Sequence, residues 1–126
     1  MSASFQDLRV WQDSMQVVAE IYRVTASFPK SEWSGLISQM RRAAISVPSN
    51  IAEGKGLRTN KEFLRFLYTA RGSLMELQTQ LMIARELHYV SEERASDLLE
   101  RCSKVGRSLA GLINAMTAPV MEPAVR

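Results

Sequence analysis

One cysteine and one histidine are all that the 126-residue chain contains of those types, and the two scarcities exclude several kinds of chemistry. A lone cysteine forms no disulfide within the chain, and Cys102 falls at an apolar helical position, where an unpaired thiol acts as a small core residue. A bundle-type di-metal centre needs Glu-x-x-His motifs on two helices. His88 stands two residues after Glu86, on a different helix face, so even half of such a centre is missing. Neither a Ser-His-acid triad nor a Cys-His pair can be assembled. Gly54-Lys55-Gly56 is too short for a phosphate loop, which needs a longer glycine frame and a Lys-Ser/Thr ending. The reading is a non-enzymatic protein with no metal and no cofactor. Long apolar runs are missing too, far below the roughly 20 residues that cross a bilayer, and MSASFQDLR has no charged-then-apolar signal pattern. A cytoplasmic protein with no membrane partner is expected.

What is present is a folding composition: 46% hydrophobic and 23% charged residues, too apolar for a disordered chain and enough for one core. The apolar spacing is helical throughout, and no strand pattern competes. Helix one carries Leu8, Trp11, Met15, Val18, Tyr22 and Thr25 on one seam. A second seam, Val10, Val17, Ile21, Val24 and Phe28, is more than one packing partner needs, and the excess reads as an oligomer contact. Phe28-Pro29 breaks the helix, and Ser31 or Ser34 suits the next N-cap. Helix two carries Leu36, Met40, Ala44, Val47 and Ile51, its rhythm running straight through Pro48, with Gly54 and Gly56 ending it. Thr59-Asn60-Lys61-Glu62 reads as a capping box. Helix three repeats from Phe63 through Leu67, Leu74 and Leu81 to His88, and helix four from Ala95 through Cys102 and Leu109 to Met116. The fold class is all-α, an antiparallel up-down-up-down four-helix bundle with its second helix kinked at a proline. Residues 1–117 form the bundle domain, and residues 118–126 a flexible tail.

Charge is distributed unevenly. The net +3 conceals a middle segment, residues 41–71, with seven Lys/Arg against two Asp/Glu, while residues 1–40 hold three against four and residues 72–126 six against seven. Arg41, Arg42, Lys55, Arg58, Lys61 and Arg65 are the candidate nucleic-acid-binding residues, since such a local field attracts a polyanion. A solvated helix face is the plainer source of a charge cluster. The few aromatics follow core spacing, so base stacking has no support.

The stretch RRAAISVPSNIAEG, residues 41–54, holds the least ordinary pattern. Gln39, Arg42, Ser46, Ser49 or Asn50, and Glu53 form a polar stripe of mostly short side chains. Ser and Asn compete with helical backbone bonds, so the stripe reads as packed against something. Pro48 leaves the Ala44 carbonyl without its helical partner, for a nearby hydroxyl, amide or water to satisfy; the alternative is that Pro48 opens a separate short helix. On helix three Ser73, Glu76 and Gln80 form a matching stripe. A hairpin turning near Gly56 sets Arg42 level with Arg71 and about a turn from Glu76; independent surface residues are the alternative.

FQDLRVWQDSM, FPKSEWSGLISQMRRAAISVPSNIAEG, KEFLRFLYTARGSLMELQTQL and ARELHYV together resemble the four-helix bundle proteins encoded in bacterial 23S rRNA intervening sequences. The resemblance covers about residues 5–115 in register. It implies a small cytosolic bundle that assembles as a ring-like homopentamer, and no settled activity. Distant relatives that accompany retroelement reverse transcriptases look like basic pentamers that bind that enzyme and nucleic acid. The family motif falls here on Arg42, Ser46, Pro48, Asn50, Glu53, Gly54, Gly72, Ser73 and Glu76, with no established catalytic role for any of them. Two functions follow. One is a homo-oligomer that binds RNA or DNA through the basic patch. The other is a protein-interaction scaffold whose polar stripe and mixed helix-three seam, Leu64, Tyr68, Arg71, Met75, Gln78, Met82 and Arg85, contact sister subunits or a partner protein.

Overall fold

The computed structural model describes residues 4–117, so the expected tail at 118–126 lies outside the described residues. Four α-helices make up most of the described residues: α1 (Arg9–Thr25), α2 (Ser38–Lys55), α3 (Asn60–Glu86) and α4 (Glu92–Thr117). A 3₁₀ turn, Phe5–Asp7, precedes α1, and a 3₁₀ turn and a π-helical turn, Lys30–Glu32 and Trp33–Ile37, lead into α2. Each helix packs against its chain neighbours, and α1 also packs against α4. The pairing residues run in opposite directions. Ser46 meets Ser73 while Gly54 meets Phe66, and Glu20 meets Arg94 while Asp13 approaches Lys104. The core contains Ile21, Met40, Ile51, Leu67, Leu81, Leu98 and Leu109, all fully enclosed.

The two seams of α1 exchange roles relative to the sequence expectation. Val10, Val17, Ile21, Val24 and the following Phe28 are the buried face, whereas Met15 and Tyr22 of the other seam are exposed at 44% and 40%. Periodicity identifies two neighbouring stripes without saying which one points inward. On α4 the buried row ends at Ile113, with Leu112 and Met116 only half-buried.

Glu32, rather than Ser31 or Ser34, caps the entry to α2, its Oε1 accepting the Leu36 N–H at 3.1 Å. Its Oε2 accepts the Tyr89 hydroxyl at 3.0 Å, and that hydrogen bond holds the phenol above its usual pKa of 10.0. One carboxylate thus ties the α1–α2 connection to the α3–α4 turn. The backbone irregularity of the region is at Gly35 (φ −107°, ψ −110°). Through Pro48, α2 continues as one helix, so the separate short helix does not occur. No side chain among the described residues donates to the Ala44 carbonyl; the amide of Asn50 bonds the Ser46 carbonyl instead, at 2.8 Å. Pro48 is buried, lining a groove with Trp11, Met15 and Val18 of α1.

Gly54 does not end α2 but lies inside it, because α3 passes too close for a side chain: a Cβ there would stand 2.7 Å from the Phe66 Cβ. The helix ends one residue later, capped at Gly56. Thr59 accepts the Glu62 N–H at 3.1 Å and donates to the Glu62 carboxylate at 3.0 Å, so only one backbone donor of the expected box is satisfied. The reciprocal box stands at Ser4 and Asp7, before the 3₁₀ turn. α3 stops at Glu86, earlier than its periodicity predicts, because His88 adopts a left-handed backbone (φ 62°). The Tyr89 N–H then reaches back to the Ala84 carbonyl at 2.9 Å and the His88 N–H to the Arg85 carbonyl at 3.0 Å, the bonding of a Schellman cap. Cys102 is fully enclosed, as expected, and burial pushes its thiol pKa up to about 12.

Candidate functional site

Among the described residues, ion pairs occur only within and between α1 and α4. Arg94 bridges Glu20 at 2.7 Å, Arg101 bonds Asp97 at 3.3 Å, and Lys104 stands 4.0 Å from Asp13. The α2–α3 half has basic side chains and no ion pairs. Lys55 closes α2, Arg58 stands in the connection, Lys61 lies in the first turn of α3, and Arg65 follows one turn later. Lys55 is half-buried and the other three are exposed. Glu62 is occupied by the Thr59 cap. A cavity of about 520 Å³ opens at the same end, lined by Ser4, Phe5, Lys55, Arg58 and Asn60 among others.

Two of the six candidate patch residues stand elsewhere. Arg41 is turned onto α1, where its Nε donates to the Thr25 hydroxyl at 3.0 Å and its guanidinium lies 4.3 Å from the Tyr22 ring centre and 5.3 Å from that of Trp33. Arg42 is exposed, one face round α2, on the seam with α3.

That seam brings the motif residues of the two helices together. The Ser46 and Ser73 hydroxyls bond at 2.7 Å, and the Asn50 amide donates to the Ser46 hydroxyl at 2.9 Å. Above them is a groove of about 340 Å³ lined by Gln39, Arg42, Ala43, Ser46, Ser73 and Glu76. The register differs from the expected one. With Ser46 opposite Ser73, Arg42 comes level with Glu76 and Leu77 rather than Arg71, because α2 continues to Lys55 and the connection takes the four residues 56–59. Arg42 and Glu76 nevertheless form no ion pair. Glu53 points to solvent, and a Cβ at Gly72 would meet nothing within 4 Å, so packing does not require that glycine.

Sequence reasoning missed Phe5 as a participant, and it placed Gln80 on the polar stripe without showing that the side chain is buried. Phe5 enters the basic end through the 3₁₀ turn, and the Ser4-Phe5-Gln6-Asp7 capping pattern is the signal for it. Gln80, 5% exposed, has a buried Oε1 with no hydrogen-bond partner; the register sets it opposite Gln39, at the end of the groove. Most exposed large apolar side chains cluster on two separate flanks, with Leu57, Ile83 and Leu87 exposed elsewhere. Met15, Tyr22, Trp33 and Ile45 surround the α1–α2 groove. Tyr68, Met75 and Met82 lie on the flank of α3 turned away from α2, one residue beyond the core row and so about 100° round the helix.

No three or more His, Cys, Asp or Glu among the described residues gather to hold a metal ion, and no described helix is long and apolar enough to cross a membrane. The fold and these surfaces define an all-α four-helix bundle protein with a basic end, a polar seam and two apolar flanks. The chain belongs to the 23S rRNA-intervening sequence protein family, whose model matches residues 6–111. It is similar to the crystal structure of a protein with unknown function from the S23 ribosomal protein family of Bacteroides thetaiotaomicron. That likeness has a TM-score of 0.75 and 18% identity, and covers 82% of this chain and 97% of the other. The chain matches none of the curated proteins.

Proposed function

We propose that the protein is a non-enzymatic homo-oligomer that holds RNA or DNA by its phosphate backbone at the α2–α3 end. The observation that carries this reading is the separation of charge: Lys55, Arg58, Lys61 and Arg65 stand around one connection with no ion pair, while the paired charges lie on α1 and α4. Unpaired cations on one short stretch can turn to a common anion without refolding. Two distinct apolar flanks favour head-to-tail association, which closes into a ring when the rotation allows; the family resemblance points to five subunits. A ring repeats the basic end around its axis, which turns weak phosphate contacts into an avid, salt-dependent surface. The scaffold reading draws on the same exposed seam of α3, with a partner protein in place of a sister subunit.

Fluorescence anisotropy with a labelled single strand and a labelled duplex, at two salt concentrations, tests the proposal. Binding is expected to fall steeply with salt and to vary little with sequence. The K55A/R58A/K61A variant is expected to bind more weakly, with a salt slope shallower by up to about three, and to keep the bundle and its assembly. No wild-type binding at low salt, or binding indifferent to the triple substitution, removes the nucleic-acid reading and leaves the scaffold.

A further inference from the structure

The polar seam between α2 and α3 takes no part in the basic end, and its hydrogen bonds do not balance. Ser46 and Ser73 carry one hydroxyl proton each. Their mutual bond at 2.7 Å uses one of the two, and Asn50 donates into the pair rather than accepting from it. Threonines elsewhere in these helices return their protons to the carbonyl four residues back, as Thr69 does to Arg65 at 3.2 Å. Neither serine makes such a bond among the described residues. One hydroxyl proton of the pair therefore has no acceptor among the described residues, and both serines line the groove. The guanidinium of Arg42 lines the same groove with no carboxylate paired to it, and the carboxylate of Glu76 lines it with no cation paired to it. Level on neighbouring helices, the two remain apart. At the Gln39 end, the buried Oε1 of Gln80 has no donor.

We infer that this groove binds a small zwitterion of the α-amino acid class. The ligand carboxylate bonds Arg42 and takes the free serine proton. The ligand ammonium bonds Glu76, with the Gln39 amide oxygen as a further acceptor. A ligand with only one charge would satisfy one wall and leave the other unpaired. At about 340 Å³ the groove is at the small end of ligand sites, which suits a molecule of this size. The α3 flank lies on another side of the bundle, while Arg42 lines both this groove and the neighbouring cavity of Tyr22, Trp33 and Ile45, so a contact on the α1–α2 flank would border the groove, which light scattering of the variants tests. This inference stands whether or not the basic end binds nucleic acid.

Thermal unfolding of the full chain, with each coded L-amino acid added in turn, is the test. A ligand that binds only the folded state raises the transition temperature. At least one amino acid is expected to do so, while its N-acetyl derivative and its amide, each lacking one charge, do not. Calorimetric titration of that amino acid is expected to show binding weakened about tenfold or more in Arg42→Ala and in Glu76→Gln, the loss that follows removal of a charge-assisted hydrogen bond. Light scattering of both variants is expected to match the wild type. No stabilisation by any amino acid overturns the inference. So does equal stabilisation by acetate or inorganic phosphate, which would mark a plain anion site. Loss of assembly in Arg42→Ala or Glu76→Gln overturns it as well, by showing that a second copy of the chain covers the groove.

Discussion

At Gly54 two opposing effects meet on one residue, and their magnitudes decide the outcome. Alanine is better than glycine inside a helix by about 1 kcal/mol, and Gly54 lies one residue from the end of α2 with helical backbone. A methyl group there, however, would stand 2.7 Å from the Phe66 Cβ and 2.9 Å from the Phe63 ring. Phe63 is buried and Phe66 half-buried, and a backbone-anchored Cβ cannot swing aside. Overpacking of this kind costs about 1–3 kcal/mol, so the steric term wins. Gly54→Ala is expected to lower the chemical-denaturation midpoint by the equivalent of up to about 2 kcal/mol. Gly72→Ala, where nothing lies within 4 Å, is expected to raise it through helix propensity alone. A stabilised Gly54→Ala protein would show that α3 gives way. The glycine was visible in the sequence as a stop signal. Its use as a contact was not, because that depends on how closely two helices cross.

Between elements, α1 and α4 are joined by the bond from Arg94 to Glu20. The Arg94 hydrogen bond is the largest influence on the Glu20 carboxyl and, with the Arg23 charge beside it, holds its pKa below the usual 4.5, against a smaller opposing effect of burial. A carboxyl whose pKa is lower folded than unfolded stabilises the fold above its unfolded value. That contribution fades as pH falls through the interval between the two and is gone below the folded one. Arg94→Ala is therefore expected to lower stability at neutral pH by about 0.5–1 kcal/mol, the upper part of the range for exposed pairs, since this one is partly buried. Its denaturation midpoint should converge on the wild type's as pH drops well below 4.5, and a difference constant across that range would show that Arg94 acts through packing. The four helices were legible because each carries a sustained 3.6-residue rhythm. The register of α2 on α3 was not, because sequence alone does not say where in Gly54 to Thr59 the helix gives out. A few residues' difference there moves Arg42 from opposite Arg71 to opposite Glu76. The basic end was legible from charge counting, but Arg41 left it for Tyr22 and Trp33, a cation–π contact that needs α1 and α2 already packed.

For the whole molecule, the decisive property is that most of its large exposed apolar side chains cluster on two unlike flanks. Ile45, 41% exposed, stands where the two cavities between α1 and α2 adjoin, and Met75, 57% exposed, lies on the far flank of α3. A two-fold dimer uses one patch twice, whereas a ring uses each patch once per subunit against the other. The two arrangements answer differently to single charges. Ile45→Glu and Met75→Glu are each expected to abolish assembly, since one side of every contact in the ring is then charged, while circular dichroism stays helical because both side chains already face solvent. Mixing the two variants provides the sharper test. The Met75→Glu subunit retains an intact α1–α2 flank and the Ile45→Glu subunit an intact α3 flank, so one contact can form between them, while the second would set two like charges together and cannot close a ring. The mixture is expected to give a one-to-one pair by light scattering, with no larger species. If only one of the two substitutions affects assembly, the association is two-fold through that flank alone, and the head-to-tail ring is wrong. If neither does, the apolar flanks receive some other partner, and the scaffold reading takes precedence.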